Sequence, residues 1–388
     1  MSSEAVLIPI WKLKRELARI ADQIMGLPQS IASLPARVSE PRRRRMHDAA
    51  FPHNLGLTDG TVTPAGRIAM LVLYQPTGLS ASTFDTCRAL LAGGYAPLVI
   101  SNAPLSDAEK TGLAKISWRV VERPNFGYDF GAYRDGIRLI QTAGLSPDRL
   151  VLMNDSIWCE ITPSLLSRIE GLEGDLTGLI QDEKVKHDIR GGTPTDRVHI
   201  ESYFLMVSGN LWRSAAFNCF WSEYPMSSFK QLTIKAGEIR FSHRMRQAGF
   251  HLNAVASRDR FLADLSRADN DELHCMLRYA AYDDILFQRQ GDALLHRPIR
   301  NEDWRNDVLD HVRRWVNRRR FNAAFPLASA RIFGTAIIKK SEDQIFVAAR
   351  AAYLKAIEAG DLAPPPSSIL TELRTWDADR KVEITRQR

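Results

Sequence analysis

The tripeptide Asn154-Asp155-Ser156 closes an apolar run, Val151-Leu152-Met153. A strand that delivers a carboxylate at its end, between short polar residues, presents hard oxygen ligands to Mg2+ or Mn2+. A cation held there can bridge to a diphosphate, as in nucleotide-sugar enzymes. The plainer alternative is an Asx turn that ends a strand. Upstream lies ERPNFGYDFGAYRDGI, residues 122–137. Gly127 and Gly131 let backbone approach a ligand closely, and the helix expected to start near Gly131 aims its positive end at the same spot. Arg134, one turn in, can donate to a phosphate, unless it simply pairs with Asp135 or Asp129. Asp129 and Asn125 can fix hydroxyls, and Phe126 or Tyr128 can cover a base.

Two further groups carry polar chemistry. In HIESYF, His199, Glu201 and Tyr203 alternate with apolar neighbours, so they share one strand face and can line an acceptor groove. A His–Glu metal pair there lacks a third ligand at a recognisable spacing. Trp221, in FNCFW, can stack on a pyranose ring, although an aromatic helix face is ordinarily core.

The elements that must position these residues alternate. RIAMLVLYQPTG (67–78), APLVISNAPLS, ISWRVVER and DRLVLMNDSIW read as strands, the first three each followed by a helical stretch. DLTGLIQD and HIESYFLMVS read as further strands, and GEIRFSHRMRQAGF (237–250) as a helix stopped by Gly249. This rhythm predicts an α/β fold with a doubly wound sheet, which binds ligands outside the carboxyl ends of its strands. Four tips should then converge: Tyr74-Gln75, Ser101-Asn102, Arg123 to Asp129, and Asn154 to Ser156.

The chain has 388 residues, 45% hydrophobic and 25% charged, with a net charge of +7. Those values are ordinary for a globular protein, and no run is long and apolar enough to span a bilayer. Four scattered cysteines without a C-x-x-C pair argue against structural zinc and a disulfide framework, and fit a reducing cytoplasm. Basic residues cluster at Arg42 to Arg45 and at Arg313, Arg314, Arg318, Arg319 and Arg320. The second run is interleaved with Trp315, Phe321, Phe325 and Phe333, a pattern that can lie on an anionic membrane surface. Solvated helix ends are the bland alternative. No nucleic-acid-binding motif accompanies either run, so nucleic acid is not an expected partner. Three regions follow: an N-terminal amphipathic helix and basic linker (1–66), a central domain (67–305), and a basic helical C-terminal extension (306–388).

In order, ERPNFGYDFGAYRDGI, VLMNDSIW, DLTGLIQD, HIESYFLMVSGNLWRSAAFNCFW and GEIRFSHRMRQAGF resemble the rhamnan synthesis protein F family, over roughly residues 67–300. That family is regarded as bacterial glycosyltransferases of cell-wall and lipopolysaccharide synthesis. More distantly the layout is similar to the GT-A fold of family 2 glycosyltransferases, which implies a mixed doubly wound sheet flanked by helices.

By that likeness Asp155 stands where a metal-binding Asp-x-Asp motif would be, with one acid where the motif has two. Glu238 falls on the acid that deprotonates the acceptor in an inverting transfer; the alternative is an acid in a helix's first turn. Asp182 and Glu183, at a strand end, are rival bases. The resemblance implies a nucleotide-diphosphate sugar donor contacted by Tyr74, Asn102, Arg123, Asn125, Gly127, Asp129, Arg134, Asn154 and Ser156, with Mg or Mn on Asp155. The sugar would be L-rhamnose from a dTDP donor, and the acceptor a lipid-linked glycan near His199, Glu201, Tyr203 and Trp221. The location implied is the cytoplasmic face of the plasma membrane. The competing reading is a non-catalytic nucleotide-sugar or glycan-binding partner in an assembly complex.

Overall fold

The computed structural model describes residues 34–183, 198–229, 232–233, 235–300 and 302–386. The N-terminal amphipathic helix expected from the sequence lies outside them. Nine strands form one mixed sheet: β1 (Gly56–Asp59), β2 (Arg67–Leu73), β3 (Ala96–Ser101), β4 (Arg119–Glu122), β5 (Arg149–Asn154), β7 (Leu176–Glu183), β8 (Val198–Ile200), β9 (Phe204–Ser208) and β10 (Leu252–Ser257). Their order is β1-β4-β3-β2-β5-β9-β7-β10, with β8 also on β7. β6 (Ile157–Trp158) and β11 (Ile338–Lys339) make a separate two-stranded ladder.

From β2 the chain passes to β3 and β4 on one side, then returns to lay β5 parallel to β2 on the other. The carboxyl ends of β2 and β5 therefore flank the topological switch point, where an α/β sheet opens a crevice. β9 then runs antiparallel to both β5 and β7.

β2 is buried at six consecutive positions, which requires cover on both faces. Ile68, Met70 and Val72 join Phe130, Tyr133 and Ile137 of the helix Tyr128–Thr142. Ala69, Leu71 and Leu73 belong to a second cluster that includes Trp304, Val308, Trp315, Phe321 and Phe325. Gly136 lets the helix lie close, since a Cβ there would stand 2.5 Å from the Met70 methyl.

This packing corrects two expectations. Trp315, Phe321, Phe325 and Phe333 do not form a bilayer-facing surface; all four are buried in the core. Their arginines are tied locally, Arg314 to Asp310, Arg318 to Asp284 and Arg319 to Asp283. The stretch expected as a basic linker is instead the helix Leu34–Ala50, with Pro41 inside it. There Arg43 reaches Ser228, and Arg44 reaches the carbonyls of Ser222 and Glu223. Among the described residues no helix is long and apolar enough to cross a membrane.

Candidate functional site

Ends of β2 and β5 are cross-linked by Asp155. Its Oδ2 accepts from the Tyr74 backbone N–H at 3.1 Å and from Gln75 Nε2 at 3.0 Å. Next to it, Asn154 is buried and points back into the fold. Its Oδ1 accepts from Ser156 N and Oγ, an Asx turn, and its Nδ2 donates to Asp129 Oδ2 at 2.9 Å.

Asp129 sits in the first turn of the helix Tyr128–Thr142. Gly127 caps it with φ +81° and Tyr128 follows with φ +52°, so two successive residues are left-handed. That conformation is costly for a tyrosine and marks the loop as over-determined by its surroundings. Arg123 does much of the determining. It is fully buried, donating from Nε to Asp135, from Nη1 to Asn102 and from Nη2 to the Phe126 carbonyl. His47 completes the anchor, its Nε2 2.9 Å from Asp135. Burial works to raise the Asp135 carboxyl, but hydrogen bonding from His47 and the Arg123 charge outweigh it and hold it below the usual carboxylate range.

These tips open onto a cavity of about 910 Å³, large enough for a nucleotide-sized ligand with room beside it. The β2 tip contributes Tyr74 and Gln75, and the β5 tip Asp155 and Ser156; Asn125, Tyr128 and Asp129 line the helix end. Glu238 enters from a π-helical turn, Lys235–Ile239, that precedes the helix Arg240–Gln247. Such turns often carry functional side chains. Its Oε1 accepts from Ser202 N at 2.9 Å, and Gly237 is needed beside it because a Cβ would stand 2.5 Å from the Phe130 ring.

A wall of this cavity comes from a region without any recognisable motif. β11 pairs with β6, so Lys340 donates its backbone N–H to the Ser156 carbonyl at 2.8 Å. Lys340, Glu342, Thr371, Glu372, Thr375 and Trp376 all face the cavity. Glu372 holds the last helix, Ser367–Arg386, in place by accepting from Ser82 N and Trp158 Nε1, both at 3.0 Å. The only signal in the sequence is the short apolar pair Ile337-Ile338, and nothing ties it to Trp158 so far upstream.

Several expected contacts are not in this cavity. Arg134 points the other way: it pairs with Asp48 and donates to the Trp221 carbonyl, so it is not a phosphate donor here. Arg123, Asn102 and Asn154 are buried and position the loops rather than contact a ligand. Trp221 is buried among Phe130, Phe220 and Phe241, which removes it as a sugar platform, and Tyr203 is core.

Asp182, His199 and Glu201 form a separate cluster, their ligand atoms within 4.8 Å of one another. β7–β8 pairing sets Asp182 opposite His199. Arg320 Nη2 stands 2.6 Å from Glu201 and 4.0 Å from Asp182, so a guanidinium already supplies the positive charge there. Burial pushes the Glu201 carboxyl up, and Arg320 pulls against it. Asp182 is therefore displaced from the acceptor-base role by its position. His199 and Glu201, both buried, do not line an acceptor groove.

Can the main cavity hold a cation? Among the described residues, Asp129, Asp155, Glu238, Glu342 and Glu372 line it against one lysine, Lys340. A diphosphate entering alone would meet net repulsion, whereas a divalent ion would offset both sets of charge. The donors are oxygens of the kind Mg2+ and Mn2+ prefer, and Asp155 keeps Oδ1 clear of the two hydrogen bonds on Oδ2. The residues fit the group.

A protein-family model described as "Rhamnan synthesis protein F" matches residues 98–314. "Uncharacterized protein y4gN" of Sinorhizobium fredii is 28% identical over 381 residues, covering 97% of this chain and 94% of its own length. Among solved structures, "Mannosyltransferase PcManGT from Pyrobaculum calidifontis in complex with GDP-Man and Mn2+" aligns over 90% of this chain and 93% of its own, at 10% identity and a TM-score of 0.28.

Proposed function

The chain belongs to the rhamnan synthesis protein F family, and from that premise we propose that it is a glycosyltransferase of polysaccharide synthesis. It would move a sugar, L-rhamnose in the reading the family favours, from a nucleotide-diphosphate donor to a growing lipid-linked glycan. One observation carries the reading: an acid-rich cavity at the β2/β5 switch point, lined by Asp155, Asp129 and Glu238.

Asp155, with Asp129 held beside the same loop by Asn154, would bind a divalent ion. When bound, that ion supplies charge compensation for the leaving diphosphate. The second acid that the linear motif lacks is thus provided by another loop. Lys340 adds a fixed positive charge, and its ammonium lies 3.6 Å from Glu372. Tyr74, half exposed at the cavity mouth, and Tyr128 offer faces for the base. Glu238 would take the proton of the acceptor hydroxyl as the new glycosidic bond forms and the sugar–phosphate bond breaks, giving inversion. Ser202 N fixes the orientation of that carboxylate. Contact with an anionic inner leaflet would fall to residues other than 313–333, whose aromatics are buried.

The test is thermal-shift screening against nucleotide sugars with Mn2+ or Mg2+. One donor should raise the melting temperature of the wild type and not that of Asp155→Ala. A panel that shifts neither protein contradicts the proposal.

A further inference from the structure

The cavity is larger than strand tips alone would make, and its added wall has a composition of its own. Trp376 is 38% exposed, whereas Trp118, Trp158, Trp212, Trp221, Trp304 and Trp315 are all buried. An exposed indole, when the other tryptophans among the described residues are buried, calls for a reason, and this one faces the cavity.

The ring is held firmly. Its Nε1–H donates to Glu342 Oε1 at 2.5 Å, and Trp158 packs edge-on at 5.3 Å between centroids with an interplanar angle of 90°. The Arg350 guanidinium, itself buried, sits 5.9 Å from the ring centroid. The ring's one polar hydrogen is thereby taken, so what it can offer a ligand is apolar surface in a fixed orientation. A preorganised ring loses little entropy on binding. Thr371, Thr375, Glu342 and Glu372 surround it with hydroxyl and carboxylate oxygens.

A flat apolar face ringed by hydrogen-bonding oxygens matches one ligand chemistry closely. A pyranose ring has a C–H face that packs on an indole and an edge of hydroxyls that pair with acids and threonines. The two carboxylates disfavour an anionic sugar. The nucleotide has its own faces at Tyr74, whose backbone N–H donates to Asp155, and at Tyr128, which shares a helix with Asp129.

We propose that Trp376 is the stacking platform for the acceptor glycan, a neutral pyranoside, and that the last helix is therefore part of the acceptor site. This deepens the glycosyltransferase reading and rests on it. Glu238 lines the same cavity, so an acceptor seated on Trp376 shares that cavity with the carboxylate assigned to its hydroxyl.

The experiment is saturation-transfer NMR on the full chain, with short rhamno-oligosaccharides as the probe, alongside thermal shift with a nucleotide sugar. Trp376→Ala should lose the oligosaccharide signal, or weaken binding about tenfold or more, while its donor-induced thermal shift stays as in the wild type. Trp376→Phe should keep most of the binding, which separates loss of a platform from loss of fold. An oligosaccharide signal equal in wild type and Trp376→Ala overturns the assignment, as does a donor shift lost together with it in a Trp376→Phe protein that melts normally. Absence of any donor shift in the wild type, with Trp376-dependent glycan binding intact, would instead strike only at the transferase reading.

Discussion

The Asn154 side-chain amide donates to an Asp129 carboxylate oxygen at 2.9 Å, which joins two motifs 25 residues apart into one acidic unit. Asn154 also closes its own turn through Ser156. Asn154 does not line the cavity itself, so any effect on a ligand would pass through Asp129.

Asn154→Ala should therefore lower activity without ending it. Loss of a group that orients a metal-binding carboxylate typically costs about 10–100-fold. The measurement is metal dependence of transfer: the concentration of Mn2+ giving half-maximal rate should rise, alongside a modest fall in melting temperature from the lost buried hydrogen bonds.

Arg134→Ala separates structure from binding. The residue joins the helix Leu34–Ala50 to the body through Asp48. Its removal leaves a part-buried carboxylate short of a partner, at a cost of roughly 2–3 kcal/mol. Urea denaturation should show the lower midpoint, while the donor KM of the remaining folded protein stays within about twofold of wild type.

Gly237→Ala should cripple the reaction from a position that touches no ligand. A methyl there meets the Phe130 ring at 2.5 Å, so the π-helical turn must shift and carry Glu238 with it. Misplacement of a reacting group by about 1 Å can cost on the order of 100-fold. Single-turnover kinetics should show the loss in the chemical step, with donor binding retained.

His311 gives a pH signature for the packing of the helix Glu302–Val316. Burial first, then the Arg314 charge, depress its imidazolium pKa from 6.5 to about 4. The folded state thus keeps it neutral where the unfolded chain takes up a proton. Its contribution is fully present above about pH 6.5 and is lost as pH falls toward 4, amounting to about 2–3 kcal/mol. Urea titrations between pH 7.5 and 4.5 should show this slope, and His311→Leu should flatten it.

The α/β alternation was legible because β2, β3 and β5 are continuous apolar runs that only a strand covered on both faces explains. HIESYFLMVS, expected as one strand with His199, Glu201 and Tyr203 on a shared face, is broken at residues 201–203 into β8 and β9, and two strands of the main sheet were not legible at all. β1, GLTD, is a short edge strand paired only with β4, so it needs no apolar pattern. β10, LNAVAS, is built from small residues and follows a glycine stop. Asp155, Ser156, Asp129, Asn125 and Tyr74 were picked out because they stand at element ends, and Glu238 through the family likeness; all six line the cavity. Arg134, Arg123 and Trp221 misled for a shared reason. An arginine or tryptophan, on a helix or, like Arg123, just past a strand, reads alike in sequence whether it faces a ligand or a neighbouring element, and here Asp48, Asp135 and Phe130 claim them. Lys340 was invisible because a two-residue ladder to β6 brings it to the cavity, and Glu372 and Trp376 because long-range bonds from Glu372 to Ser82 and Trp158 dock the last helix there.

Isothermal titration of the nucleoside diphosphate that matches the best donor, with and without Mn2+, asks whether Asp155 and its neighbours hold a metal–diphosphate pair. Binding should strengthen at least about tenfold with Mn2+, and Asp155→Ala should lose that gain. Equal affinity with and without the ion, or a gain that survives in Asp155→Ala, would show that they do not.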